Sequence, residues 1–184
     1  VLLNNLRIKG KEFSDTRIQV ELHDKIARIW GKLNFVFEGL YNLSSNEFSA
    51  NAYFDQTVLS PYFKLAKLPD LDGKMSGKIE LSGNTQDLET TSASIDISSL
   101  RLFSQEMDLI RTEDVSISLK NKAFSALPFD LVILDSGIVN ISGSGEIGGQ
   151  LSLKANGNIP LQIFGYFIKH KLHYSFIEII FAID

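Results

Sequence analysis

The run Gly143-Ser144-Gly145-Glu146-Ile147-Gly148 has the G-x-G-x-x-G spacing of a loop that cradles a dinucleotide pyrophosphate. That chemistry needs a helix N-terminus behind the loop. Gly149-Gln150-Leu151-Ser152-Leu153-Lys154 alternates as a strand instead, so the run reads as a tight turn or bulge, and no Walker-type Gly-Lys-Ser/Thr follows. His170 and His173 stand three apart, a spacing at which two metal ligands share one side of a helix. The chain has no cysteine, no carboxylate occupies a ligand position nearby, and Lys169 and Lys171 make the surroundings cationic. The pair therefore reads as solvated side chains at a helix end. His23 stands beside Asp24 at a turn position, and none of the many serines has the strand-to-helix elbow that presents a nucleophile. Asp70, Asp72, Asp87, Glu89, Glu113 and Asp114 fall at expected turns, where carboxylates are solvated. With no convergent acid, base, nucleophile or metal set, we expect no enzyme and no cofactor.

Composition narrows the field further. A net charge of -4 over 184 residues argues against broad phosphate neutralisation and hence against nucleic acid as a partner. The lack of cysteine excludes disulfides and thiolate metal sites, and it fits an oxidising compartment. No apolar run is long enough to cross a bilayer as a helix, and the first residues lack the layout of a signal peptide. The sequence opens on Val1-Leu2-Leu3 and stops at Asp184 just after an apolar run, from which we expect a segment of a longer polypeptide.

The elements that would carry any site are strands. The clearest change of period lies between residues 48 and 81. Alternation over Phe48 to Phe54 gives way to a helical pattern from Ser60 to Leu68, then returns from Lys74 to Leu81. Ser60 is placed to cap that helix, Pro61 fits its first position and Pro69 marks its end. A similar passage recurs where Ala155-Asn156 leads to Pro160-Leu161-Gln162-Ile163-Phe164, so residues 1–184 read as one large module with a second repeat beginning near 155–184. Further strands are expected over Arg17 to Leu22, Ala27 to Phe37, Ala93 to Ile97, Val115 to Leu119, Phe129 to Ile133, Val139 to Gly143, Leu151 to Ala155 and Ser175 to Ile183, about ten in all. Trp30 points away from its apolar neighbours and reads as packing under a turn. Ser82-Gly83-Asn84, Asn121-Lys122, Asp135-Ser136-Gly137 and Asn156-Gly157-Asn158 supply turn signals.

Short connections between successive strands mean antiparallel pairing in a meander. One face collects Leu33, Phe35 and Phe37, then Ala50, Ala52 and Phe54, then Met75, Ile79 and Leu81, then Ala93, Ile95 and Ile97. It continues with Val115, Ile117 and Leu119, with Phe129, Leu131 and Ile133, with Val139 and Ile141, with Leu151 and Leu153, and with Ile177, Ile179 and Phe181. Lys, Glu, Asp, Ser and Asn take the other face. Two short helices cannot cover such an area, so the sheet must either fold over itself and fill its interior or stay open and leave a groove. Periodicity does not separate these outcomes.

The order of strand, short Pro-started helix, and Leu71-Asp72-Gly73-Lys74-Met75-Ser76-Gly77-Lys78-Ile79-Glu80-Leu81-Ser82-Gly83 resembles the TamB family and the wider AsmA-like group of bacterial envelope proteins. The L-x-G-x-x-x-G-x-x-x-L-x-G arrangement at Leu71, Gly73, Gly77, Leu81 and Gly83, and the stretch from Gly31 to Gly39 leading to Leu40-Tyr41, carry that resemblance. It implies a mainly β fold, an antiparallel meander of about ten strands curled into an open, taco-like groove or half-pipe. The residues of the apolar stripe would line this groove and shield phospholipid acyl chains passing between inner and outer membranes in support of outer-membrane biogenesis. The resemblance places the chain in the periplasm, within an inner-membrane-anchored protein of a diderm bacterium. Neighbouring segments of the same chain and an outer-membrane barrel partner would complete the system. The alternatives are a structural or adhesive β module with a filled core, or a soluble carrier for one lipidated ligand.

Overall fold

The computed structural model describes residues 16–68, 70–105 and 107–164, together with the backbone of residues 2–4, 7–8 and 11–12. Strands β1 (Leu2–Asn4), β2 (Arg7–Ile8) and β3 (Lys11–Glu12) precede β4 (Arg17–His23), β5 (Ile26–Lys32), β6 (Val36–Asn42) and β7 (Glu47–Val58). Helix α1 (Ser60–Leu65) follows, and then β8 (Asp72–Asn84), β9 (Asp87–Ser104), β10 (Met107–Lys120), β11 (Ala123–Ile133), β12 (Gly137–Glu146) and β13 (Leu151–Asn158). A second helical stretch begins at 162–164. One eleven-stranded sheet runs β1-β4-β5 and onward in chain order to β13, while β2 and β3 pair separately. From β4 the ten strands form an antiparallel meander, and because β1 and β13 are not hydrogen-bonded to each other the sheet is an open curl and not a barrel.

Local chemistry accounts for the hairpins. Asp24 and Lys25 both take positive φ (45° and 65°), as do Asn121 and Lys122 (48° and 67°), which is the geometry of a type I′ two-residue turn. The segment from Ala27 to Phe37, expected as one strand, is two: Leu33, Asn34 and Phe35 turn between β5 and β6, with Asn34 at φ 75°. Asparagine tolerates that left-handed conformation, and its side-chain amide donates to the Val58 carbonyl at 2.8 Å, fixing the turn to the end of β7. Two expected turns are strand instead, since Ser82-Gly83-Asn84 belongs to β8 and Asn156-Gly157-Asn158 to β13, both still paired. Glu113 and Asp114 lie within β10 and not at a turn.

Helix α1 departs from its expected ends. Leu59, not Ser60, is the N-cap, with no side-chain capping bond, and Pro61 lies within the first turn; the Leu59 amide donates to the Gly73 carbonyl at 2.8 Å. The helix stops at Leu65, and Pro69, expected to mark its end, lies outside the described residues. Lys67 enters the left-handed region at φ 64°, the Leu68 amide donates to the Phe63 carbonyl, and the Lys67 amide donates to that of Lys64. These are the two bonds of a Schellman motif.

A line of bulges crosses the sheet. Register shifts fall between Phe54 and Thr57 in β7, at Ser76/Gly77 opposite β9, and between Ala126 and Phe129 in β11, while Gln56 and Asp114 take positive φ. Bulges bend a strand and increase its twist, so a row of them creases the sheet. Gly77 sits on the crease, where a Cβ would lie 2.4 Å from the Asp96 carbonyl oxygen. Pro128 occupies the bulge of β11, a position where its missing amide breaks no ladder bond.

Candidate functional site

Directly paired residues share a face of an antiparallel sheet, so the registers define each face strand by strand. One transverse row reads Ile18, Gly31, Phe37, Ala52, Ile79, Ile95, Ile117, Ala126, Gly143 and Leu153 across β4 to β13. The next row on that face reads Val20, Ile29, Gly39, Ala50, Leu81, Ala93, Leu119, Phe124, Gly145 and Leu151. Neither row contains a polar side chain. Between them, on the opposite face, runs Gln19, Trp30, Glu38, Asn51, Glu80, Ser94, Ser118, Ser125, Ser144 and Ser152.

The described strand residues of the expected stripe lie on this one face. Phe35 joins it from the β5–β6 turn, stacked on Phe54 with ring centroids 4.8 Å apart. A hollow of about 420 Å³ opens between Ile29, Leu33, Phe35, Phe37, Ile79 and Leu81. Ile97 pairs with Val115, and Leu131 with Thr112 and Val139. Ile177, Ile179 and Phe181, with His170 and His173, lie outside the described residues.

The alternation also missed members. Each long strand continues past a bulge, where the apolar positions change parity: Phe54 to Thr57, Ile97 to Leu100, Thr112 to Val115 and Ala126 to Phe129. Leu100, Leu102, Ile110, Phe124 and Ala126 therefore face the same way as the residues expected there. The signal was a second alternating run one residue out of phase with the first.

Among the described residues, a buried cluster covers one end of this face. Leu109, Ile133, Val139 and Ile163 form a buried cluster, with Leu71 packed against it. Ile133, expected as groove lining, is only 8% exposed and belongs to this filled end. Helix α1 bridges the same end, where the Tyr62 hydroxyl reaches Asn34 Oδ1 at 2.5 Å and the Leu33 carbonyl at 3.1 Å. Burial pushes the Tyr62 phenol up to about 12. Towards its margins the face is open, with Leu22 at 66% and Leu153 at 70% exposure, whereas Val115, expected as groove lining, is only 5% exposed and Ala126 of the first row 7%.

The outer face is knitted by polar pairs. Asp96 accepts hydrogen bonds from Ser94 (2.8 Å) and Ser116 (2.9 Å), and these hold its carboxyl below the ordinary range, with Lys78 adding to the effect. Arg101 grips Asp108 through two bonds of 2.6 and 2.7 Å. Trp30 does not pack under a turn: it lies on this face, with the Arg28 guanidinium 5.0 Å from its ring centroid. Gly143 and Gly145 are inside β12, and the turn that follows leads to a strand and not a helix. His23 ends β4 beside Asp24, 3.1 Å away. Among the described residues no three potential metal ligands come together.

No protein-family model, curated protein or solved structure matches this chain.

Proposed function

We propose that the chain is a segment of a TamB-like or AsmA-like envelope protein whose apolar face shields phospholipid acyl chains during passage between inner and outer membranes. The observation that carries the reading is the pair of transverse rows without a polar side chain, spanning ten consecutive strands of one sheet. At about 4.8 Å per strand such a row runs roughly 43 Å along the curl, far more than one small-molecule pocket needs.

Energetics fit a conduit. Each methylene taken out of water is worth about 0.8 kcal/mol, so an acyl chain of about fifteen carbons faces an upper bound near 12 kcal/mol on crossing bare water. An apolar lining removes most of that barrier through many weak, unspecific contacts. Deep binding would stall transfer, and rows of aliphatic side chains, Phe and Gly offer no polar anchor to create it. The headgroup rides at the open edge, in water. In this reading the segment works in the periplasm, within a longer inner-membrane-anchored chain that continues the groove toward an outer-membrane barrel partner. It carries no catalytic step.

Photo-crosslinkers at Phe35, Ile95 and Ile117 test the proposal in cells, with Lys78 and Asp96 on the opposite face as controls. Lipid should be captured from the first three positions only. Equal capture from both faces rejects the groove.

A further inference from the structure

A larger hollow lies on the other face. It is a cleft of about 1020 Å³ on the polar side of β4 to β7, bordered by Arg17, Arg28, Trp30, Lys32, Glu38 and Tyr53. Its charge runs against that of the chain: three cations and one carboxylate border it, in a protein of net charge -4. Arg28 is partly neutralised by Glu38 at 3.9 Å and lies over Trp30. Arg17 and Lys32 are direct cross-strand partners. Like charges placed opposite each other repel, and among the described residues neither enters an ion pair. Two exposed cations held side by side, next to half-exposed aromatic and aliphatic surface from Trp30, Val36 and Tyr53, are complementary to an anion that carries an apolar group.

We propose that this cleft is a binding site for a small soluble organic phosphate, with the phosphate between Arg17 and Lys32 and the apolar part against Trp30, Val36 and Tyr53. Arginine offers a planar fork to two phosphate oxygens while lysine supplies a point charge, so the pair divides the work of orientation and neutralisation. The site opens on the polar side, shares only Gly31 and Phe37 with the apolar rows, and does not depend on the function proposed for that face.

The chain has a single tryptophan, so its emission reports on this cleft alone. The full chain is titrated with phenyl phosphate, inorganic phosphate, phenol and phosphatidylglycerol vesicles, following Trp30 emission and binding heat. Phenyl phosphate should saturate, and bind more tightly than inorganic phosphate or phenol. The Arg17→Gln/Lys32→Gln variant should bind at least about ten-fold more weakly, while Lys120→Gln, elsewhere on the outer face, should bind normally. The double variant should also melt at the same or a higher temperature, because it loses a repulsion; a purely structural pair would lower it. Three results overturn the site: no saturable response to phenyl phosphate, equal affinity in the double variant, or a response to vesicles but to no soluble phosphate.

Discussion

Ile117 and Ser118 are chain neighbours on β10 that point to opposite faces, so one charge moved by one residue tests the apolar face directly. Ile117 pairs with Ile95 and Ala126 and is half-buried; Ser118 pairs with Ser94 and Ser125 and is exposed. Replacing Ile117 with Asp forfeits about half of an isoleucine's burial energy, roughly 1 to 1.5 kcal/mol. That is small beside the 5–15 kcal/mol of an ordinary domain, so the variant should fold. An acyl chain passing the new carboxylate must strip water from a group with no partner on that face, at a cost of about 3 kcal/mol by the scale of buried polar groups. A barrier raised by that amount slows passage about a hundredfold. Ser118→Asp should leave it unchanged. The assay is transfer of a fluorescent phospholipid from donor to acceptor vesicles by the protein, with circular dichroism confirming that both variants keep their strands. Because an apolar setting raises a carboxyl pKa, lowering the pH to about 5 should restore part of the lost rate in Ile117→Asp. Unimpaired transfer by folded Ile117→Asp, or equal loss in Ser118→Asp, refutes the reasoning.

Gly77→Val should lower stability by about 3 kcal/mol, since the new side chain meets the Asp96 carbonyl and the backbone of Ile97, whereas Gly149→Ala meets only ordinary contacts and should be neutral by urea denaturation. The Asp96 carboxyl is held below its usual range by Ser94 and Ser116, so its contribution is complete above the unfolded carboxylate value near 3.9 and is lost as pH falls through the lower folded value. Asp96→Asn should flatten that part of the acid limb when urea midpoints are measured against pH, and an unchanged limb would deny the network its role. Tyr62→Phe should cost about 1–2 kcal/mol by removing the hydroxyl's bonds to Asn34 and Leu33. In the native protein Tyr62 adds stability that is full below the unfolded value near 10 and fades as pH rises toward about 12, which ultraviolet titration of the phenol would follow.

Much of the architecture was legible because one physical rule governs it. Apolar alternation at Ala93 to Ile97, Val115 to Leu119 and Phe129 to Ile133 marks one face of β9, β10 and β11, and short polar connections force antiparallel neighbours. The rule fails where the backbone slips. A bulge moves later apolar residues onto the other parity, which hid Leu100, Leu102 and Ile110 although they continue the same surface. Turn chemistry misled where Asn served two ends, since Asn34 makes a left-handed turn in an apolar run while Asn156 and Asn158 remain in a strand. The cationic cleft escaped notice because Arg17 and Lys32 lie far apart in sequence. Folding the chain back at Asp24-Lys25 puts them opposite each other, and that turn alone would have revealed them.

The same registers explain how a sheet can keep its apolar face open. Strand contacts run between ladder neighbours, and α1 rests on β8, so cohesion is supplied strand by strand. Ile79, Ile95 and Ile117 support one another sideways along their row, while Ser94, Asp96 and Ser116 do the same on the outer face. A fold held by nearest neighbours does not need a core spanning two layers, in the way that solenoids do not. The interior normally filled by a second sheet can therefore stay unfilled, apart from the buried cluster of Leu109, Ile133, Val139 and Ile163 at one end. Lengthening such a groove requires only another hairpin in phase, with its apolar residues in register with Leu151 and Leu153 on β13.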